Sequence, residues 1–195
     1  MTILILGIIL FLGVHSLRIV APAFRERMIA RLGPQGWRGL YSLLSVLSLV
    51  VLIWGFAVAP VINIWFPPVF MSHIAVLLML FAMICLVASL LPPGHIAIKT
   101  KHPMVLSVKI WAAAHLLANG DLASMLLFLS FLAWGVIMRI SLKKRWRRGE
   151  LMMPSFVSSR YDILAVVIGV VLWAALLLKL HELLIGVAPI PAMSL

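Results

Sequence analysis

The chain has 195 residues, of which 65% are hydrophobic and 11% charged, against roughly 45–50% and about 25% in an average soluble domain. Too few polar groups remain to cover a globular surface, so a soluble single domain is excluded and a bilayer is the natural solvent. Sixteen Lys and Arg against five Asp and Glu give a net charge of +11, which a multi-pass chain gathers in its cytoplasmic loops, so nucleic acid is not expected as a partner.

The first apolar run is Thr2 to about Ala21. Its positive charges, Arg18, Arg25 and Arg27, follow the run instead of preceding it. That order fits a retained helix with its N-terminus outside better than a signal peptide. Next, PAFRERMIARLG at 22–33 sets Phe24, Met28 and Leu32 at i, i+4, i+8, with Arg25, Arg27 and Arg31 on other faces. This reads as a short interfacial helix, stopped by Gly33-Pro34. Further apolar runs cover about 40–59, 70–91, 104–118, 122–140 and 163–187. They are divided by Pro60, Pro67-Pro68, Pro92-Pro93-Gly94, Pro103, Asn119-Gly120-Asp121 and Pro154. A span needs about 20 apolar residues. The run at 104–118, which holds Lys109 and His115, is the weakest.

Charge placement tests the division. Thirteen of the basic residues fall in the first, third and fifth connections, and none in the second and fourth. The expected fold is therefore an all-α polytopic membrane helical bundle of about six transmembrane helices, with both termini on the outer (periplasmic) side. It forms a single domain over 1–195, with an interfacial helix at about 22–33 and a basic cytoplasmic loop at about 139–160. The run KKRWRR at 143–148 is expected to draw anionic lipid headgroups at that face. Cys85 lies in an apolar run without a second cysteine, so it reads as a packing residue.

Ionisable residues at membrane depth are costly and mark candidate sites. Here they are His15 and Arg18 in the first run, Lys109 and His115 in the fourth, and Lys179, His181 and Glu182 in the last. His73, His95 and His102 sit at expected helix ends. Lys179, His181 and Glu182 read as snorkelling to the outer interface. His15 and His115 each read, in isolation, as hydrogen-bonded packing residues. Together they offer two imidazoles from separate helices. Zinc takes three or four ligands, whereas haem iron needs one or two, so haem is the economical cofactor for such a pair. At 100° per residue His102 and His115 point to nearly opposite faces, so one pocket does not easily take both. His15 and His115 also differ in depth by roughly 10 Å at 1.5 Å per residue, a mismatch that helix tilt can absorb.

Four stretches resemble the NnrU family of bacterial membrane proteins: HSLR at 15–18, GWRGLYSLLS at 36–45, KHPM at 101–104 and WAAAHLLANGDLASMLLF at 111–128. The likeness runs from about residue 7 to 140. It implies an inner-membrane protein linked with denitrification, where members are thought to support nitrite or nitric oxide reduction. A relative of the family, zeta-carotene isomerase, is a haem b protein that isomerises a cis double bond. By this resemblance His15 and His115 are the axial haem ligands, and Arg18 with one or more of Lys99, Lys101 and His102 lies near the propionates. The isomerase has a cysteine three residues before its second ligand histidine. This chain has Ala112 there, which argues against a ligand-exchange cycle of that kind. A bis-His iron suits electron transfer or redox sensing, and catalysis requires one His to leave. The expected reaction would then be isomerisation of an apolar polyene, a small-molecule partner held in the membrane. Two rival readings stand beside this one. KHPM and GELMMP (149–154) distantly resemble an isoprenylcysteine methyltransferase, although the usual Gly after the His-Pro is missing. A cofactor-free accessory protein would gain stability when His15 or His115 is made apolar.

Overall fold

In the computed structural model α1 spans Thr2–Val20 and α2 spans Pro22–Ala57, within a structure that describes residues 1–190. The expected domain extends over 191–195 as well, which lie outside the described residues. Proline opens α2 at its first position, where its missing N–H costs nothing. The helix breaks once, at Gly33, whose φ of 71° and ψ of 168° belong to a region that side chains forbid. Pro34 then opens the second segment. The first helical segment therefore ends at Gly33, where the sequence places the end of the short helix, and the next segment is helical from Pro34, ahead of the apolar run that begins at Leu40.

α1 and α2 meet backbone to backbone. A Cβ added at Gly7 would lie 2.5 Å from Leu52 Cα, and one at Gly55 would lie 2.6 Å from Leu4 N. Lipid tails are as apolar as leucine, so membrane helices associate through such small-residue approaches. Leu4, Ile8, Trp37 and Leu52 are buried at this interface. The same compact unit, Met1–Ile64 with Asp121–Ser130, contains an isolated antiparallel bridge between Asn63 and Asp121. Leu122 N donates to Ile62 O at 2.8 Å. Asp121 caps the helix that follows, its Oδ1 accepting from Ser124 N at 2.9 Å.

The second compact unit comprises Trp65–Gly120 and the chain from Phe131 onward. It is built on α3, Val69–Leu90, which packs against both α5, Pro103–Ala118, and α7, Arg160–Ala175. α3 presents Ser72, Ala75, Ala82 and Ala88 as buried small residues. Ser107 Oγ donates to Ala82 O at 2.8 Å, and Trp173 Nε1 donates to Val76 O at 2.9 Å. A Cβ at Gly169 would lie 2.8 Å from Ile84 Cα. α4, His95–Thr100, is a six-residue turn that the hydrophobic pattern does not reveal. It is held at its start by Asp162, which accepts from His95 N at 2.8 Å and Ile96 N at 2.9 Å.

α6 covers Leu122–Arg147. The basic stretch expected as a loop from about 139 is thus helical to Arg147, because no breaker interrupts it before Gly149, whose φ is 73°. After α7 the chain passes through a π-helical turn, Leu176–Leu180, into α8, His181–Ile185.

Among the described residues all regular structure is helical, apart from the Asn63–Asp121 bridge. Five helices among the described residues are long and apolar enough to cross a membrane: Thr2–Val20, Pro22–Ala57, Val69–Leu90, Leu122–Arg147 and Arg160–Ile185. α5, at 16 residues, is the shorter apolar helix beside them. Large apolar side chains stand exposed along them, among them Ile9 at 62%, Val46 at 58% and Val171 at 60%. A surface of that kind belongs against lipid. The chain is a multi-pass membrane protein by its helices.

Candidate functional site

His15 lies near the end of α1, four residues beyond Phe11 and three before Arg18. Its Nδ1 is 2.7 Å from Phe11 O. A carbonyl can only accept, so Nδ1 carries the hydrogen and the lone pair of the neutral ring sits on Nε2. Phe11 packs on the imidazole with ring centroids 4.2 Å apart, and Tyr41 of α2 meets it edge-on at 5.7 Å. Trp37, buried, backs Tyr41 at 6.2 Å. Arg18 is exposed one turn further on.

His115, in α5, repeats the arrangement. Its Nδ1 is 2.8 Å from Trp111 O, again the carbonyl four residues earlier. Trp111 flanks the ring at 5.3 Å and is itself met edge-on by Phe131 at 5.3 Å. Asn119 closes the helix by donating from both its backbone N (3.0 Å) and Nδ2 (2.8 Å) to His115 O. Two histidines in two separately packed units thus share one device. Each ring is oriented by its own helix backbone, and each presents Nε2 as the basic nitrogen.

The sequence missed a neighbour. His181 lies parallel to His115, with ring centroids 6.3 Å apart and planes 26° from parallel. Its Nδ1 is 2.7 Å from Val187 O, so its lone pair also sits on Nε2. Lys179 and Glu182 pair with each other at 2.9 Å. His181 turns away from that pair. Sixty-six positions separate it from His115, so no spacing signal could have joined them. The π-helical turn just before it resets the helical phase and sets which way it faces.

Lys101 and His102 lie in another group. Lys101 Nζ sits 4.5 Å above the Trp146 ring of α6. Burial first, then the charges of Arg139, Arg145 and Lys101, push the His102 imidazole below its ordinary pKa. Lys99 is exposed on α4. His95 bonds to Asp162 at 3.1 Å and lies against Phe156. His73 is exposed. Cys85 is buried and unbridged. Among the described residues no group of three or more His, Cys, Asp or Glu could hold a metal ion.

The family model described as NnrU protein matches residues 3–189. No curated protein and no solved structure matches the chain.

Proposed function

Since this chain belongs to the NnrU family, we propose that it is a haem-b-binding protein of the bacterial inner membrane, in which His15 and His115 would each serve as a ligand to the iron. The observation that carries the reading is the shared orientation of these two rings. Each Nδ1 is engaged by a carbonyl of its own helix, at 2.7 and 2.8 Å. Such a bond fixes the tautomer and makes Nε2 the better metal ligand. The donor set fits haem, which supplies one-electron chemistry at an iron centre when bound. The protein's part is orientation and shielding. Phe11 and Tyr41 flank one imidazole, Trp111 and Phe131 keep water from the other, and Arg18 offers a cation to a propionate. In this reading the protein acts in electron transfer or redox sensing linked to denitrification, or isomerises an apolar polyene.

The same proposal places six helices across the membrane, α5 included, with both termini outside. The thirteen-to-none division of basic residues between alternate connections supports that topology. The contact between His115 and His181 favours one second reading, in which His181 supplies the other imidazole.

Absorption spectra of the detergent-purified protein, oxidised and reduced, separate these readings when taken with His15→Ala, His115→Ala and His181→Ala. A sharp Soret band with low-spin reduced bands, lost in the first two variants and kept in the third, is the expected result. Loss in His115→Ala and His181→Ala but not in His15→Ala would transfer the second ligand to His181. A wild-type protein that stays colourless after haemin is added would overturn the haem reading.

A further inference from the structure

Arg145 is 9% exposed, although it lies in the most basic stretch of the chain, where Lys143, Lys144, Arg147 and Arg148 all point to solvent. Its Nη2 is buried and has no hydrogen-bond partner, and His102 Nε2 is buried and equally unpartnered. Leaving a buried donor unpaired is costly, and a cationic donor more so. The acid nearby does not settle the account. Glu150 reaches Arg145 Nε at 3.8 Å, but its carboxylate is gripped by Arg148 through Nε at 2.5 Å and Nη2 at 3.2 Å. The contact of Lys101 with Trp146 sets the two segments side by side. His102 is next to the one and Arg145 is next to the other. Lys101 itself is held with φ at 64°, a backbone conformation unusual for a side-chain-bearing residue.

We infer that Arg145, His102 and Lys101 form a seat for the phosphate of an anionic phospholipid, which would take up the buried Nη2 and His102 Nε2. A guanidinium fork matches phosphate oxygens in shape as well as charge, and Lys101 adds a point charge beside it. The burial of this pair sets it apart from the diffuse attraction of the exposed cations around it. A lipid is the fitting source because the seat joins the start of one apolar helix to the basic end of another, where headgroups lie. His102 precedes His115 by thirteen residues, about 20 Å along the helix, so the seat is separate from that imidazole. The inference rests on the membrane placement of the helices and not on haem.

Native mass spectrometry of the full chain released from detergent micelles tests it, with dioleoylphosphatidylglycerol and dioleoylphosphatidylcholine as probes. The wild type should retain one phosphatidylglycerol in preference to phosphatidylcholine by about fivefold. Arg145→Gln should abolish most of that preference, whereas Arg147→Gln, which removes an exposed charge of the same run, should change it by less than about twofold. Arg145→Lys and His102→Gln carry the test if Arg145→Gln does not fold, and each should lower retention by at least about twofold. Equal losses in Arg145→Gln and Arg147→Gln would reduce the effect to diffuse charge and overturn the inference. Displacement of the lipid by millimolar inorganic phosphate would make the ligand a soluble anion. Loss of lipid in His115→Ala would tie the seat to the haem site. Either result would overturn the assignment to phospholipid.

Discussion

Replacing Gly7 by alanine tests how α1 and α2 are held together. The added Cβ would stand 2.5 Å from Leu52 Cα and 2.7 Å from Leu52 N, while ordinary carbon contacts lie at about 3.5–4.0 Å. The obstacle is backbone, so no rotamer change relieves it, and the helices must separate by roughly 1 Å. In water the change would recover about 1 kcal/mol of helix propensity. In a bilayer that gain is largely absent, because an inserted segment is already helical before it packs. An overpacking cost of about 1–3 kcal/mol therefore remains. At about 2 kcal/mol the thermal midpoint falls by roughly 4–8 °C for a chain of this size. Thermal unfolding in one fixed detergent, followed by tryptophan fluorescence, measures it, with Gly13→Ala as control. Gly13 lies in the same helix, and a Cβ there meets nothing within 4 Å. Gly55→Ala presses on the same interface through Leu4, so the double variant should cost less than the sum of the two singles. A Gly7→Ala protein as stable as Gly13→Ala would refute the close-packing argument.

Asp162→Ala removes the acceptor of His95 N and Ile96 N, and should cost about 1–3 kcal/mol. Hydrogen exchange at these two amides should rise before any change in α3. Gly120→Ala drives a Cβ into the Trp65 carbonyl and should cost about 3 kcal/mol, a larger fall in midpoint than Gly7→Ala gives. His102 has a folded pKa below its ordinary 6.5. Between those two values the unfolded chain binds more protons, so stability declines as pH falls below 6.5 through the folded value, and is unaffected by this group at higher pH. Comparing thermal midpoints at about pH 7.5 and about pH 5, the wild type should fall further than His102→Gln. Equal slopes would remove His102 as the source.

The helices were legible because an apolar run near twenty residues has few alternatives to a span, and because proline and glycine punctuate this chain at nearly every turn. Gly33-Pro34 marked the break in α2 correctly. What escaped notice was what periodicity does not encode. α4 has six residues and owes its place to Asp162, far away in sequence. α6 runs to Arg147, past the point where the charged stretch suggests a loop, because Lys and Arg are good helix formers. In the candidate site, the hydrogen bonds of His15 and His115 to carbonyls four residues back follow from helix geometry and were open to prediction. The approach of His181 was not, since it depends on a π-helical turn and on how α7 and α8 pack. The burial of Arg145 among exposed cations with the same composition was equally hidden.

The brevity of α5 bears on how the chain is made. Sixteen residues rise about 24 Å, short of a hydrocarbon core of about 30 Å. Its six strongly apolar residues, Val105, Leu106, Val108, Ile110, Leu116 and Leu117, contribute about −3 kcal/mol on an insertion scale, and Lys109 alone returns about +3. α5 is thus close to neutral between translocon and lipid. Its place is set by α3, which accepts Ser107 through Ala82 O, and by Gly135 of α6, which leaves room for the Lys109 stem. α3 emerges from the ribosome before α5, and Gly135 after it. On the proposed six-span topology, membrane entry of this segment is consequently a late event of synthesis, completed when α6 arrives, and a nascent chain arrested before Gly135 would hold α5 at the surface.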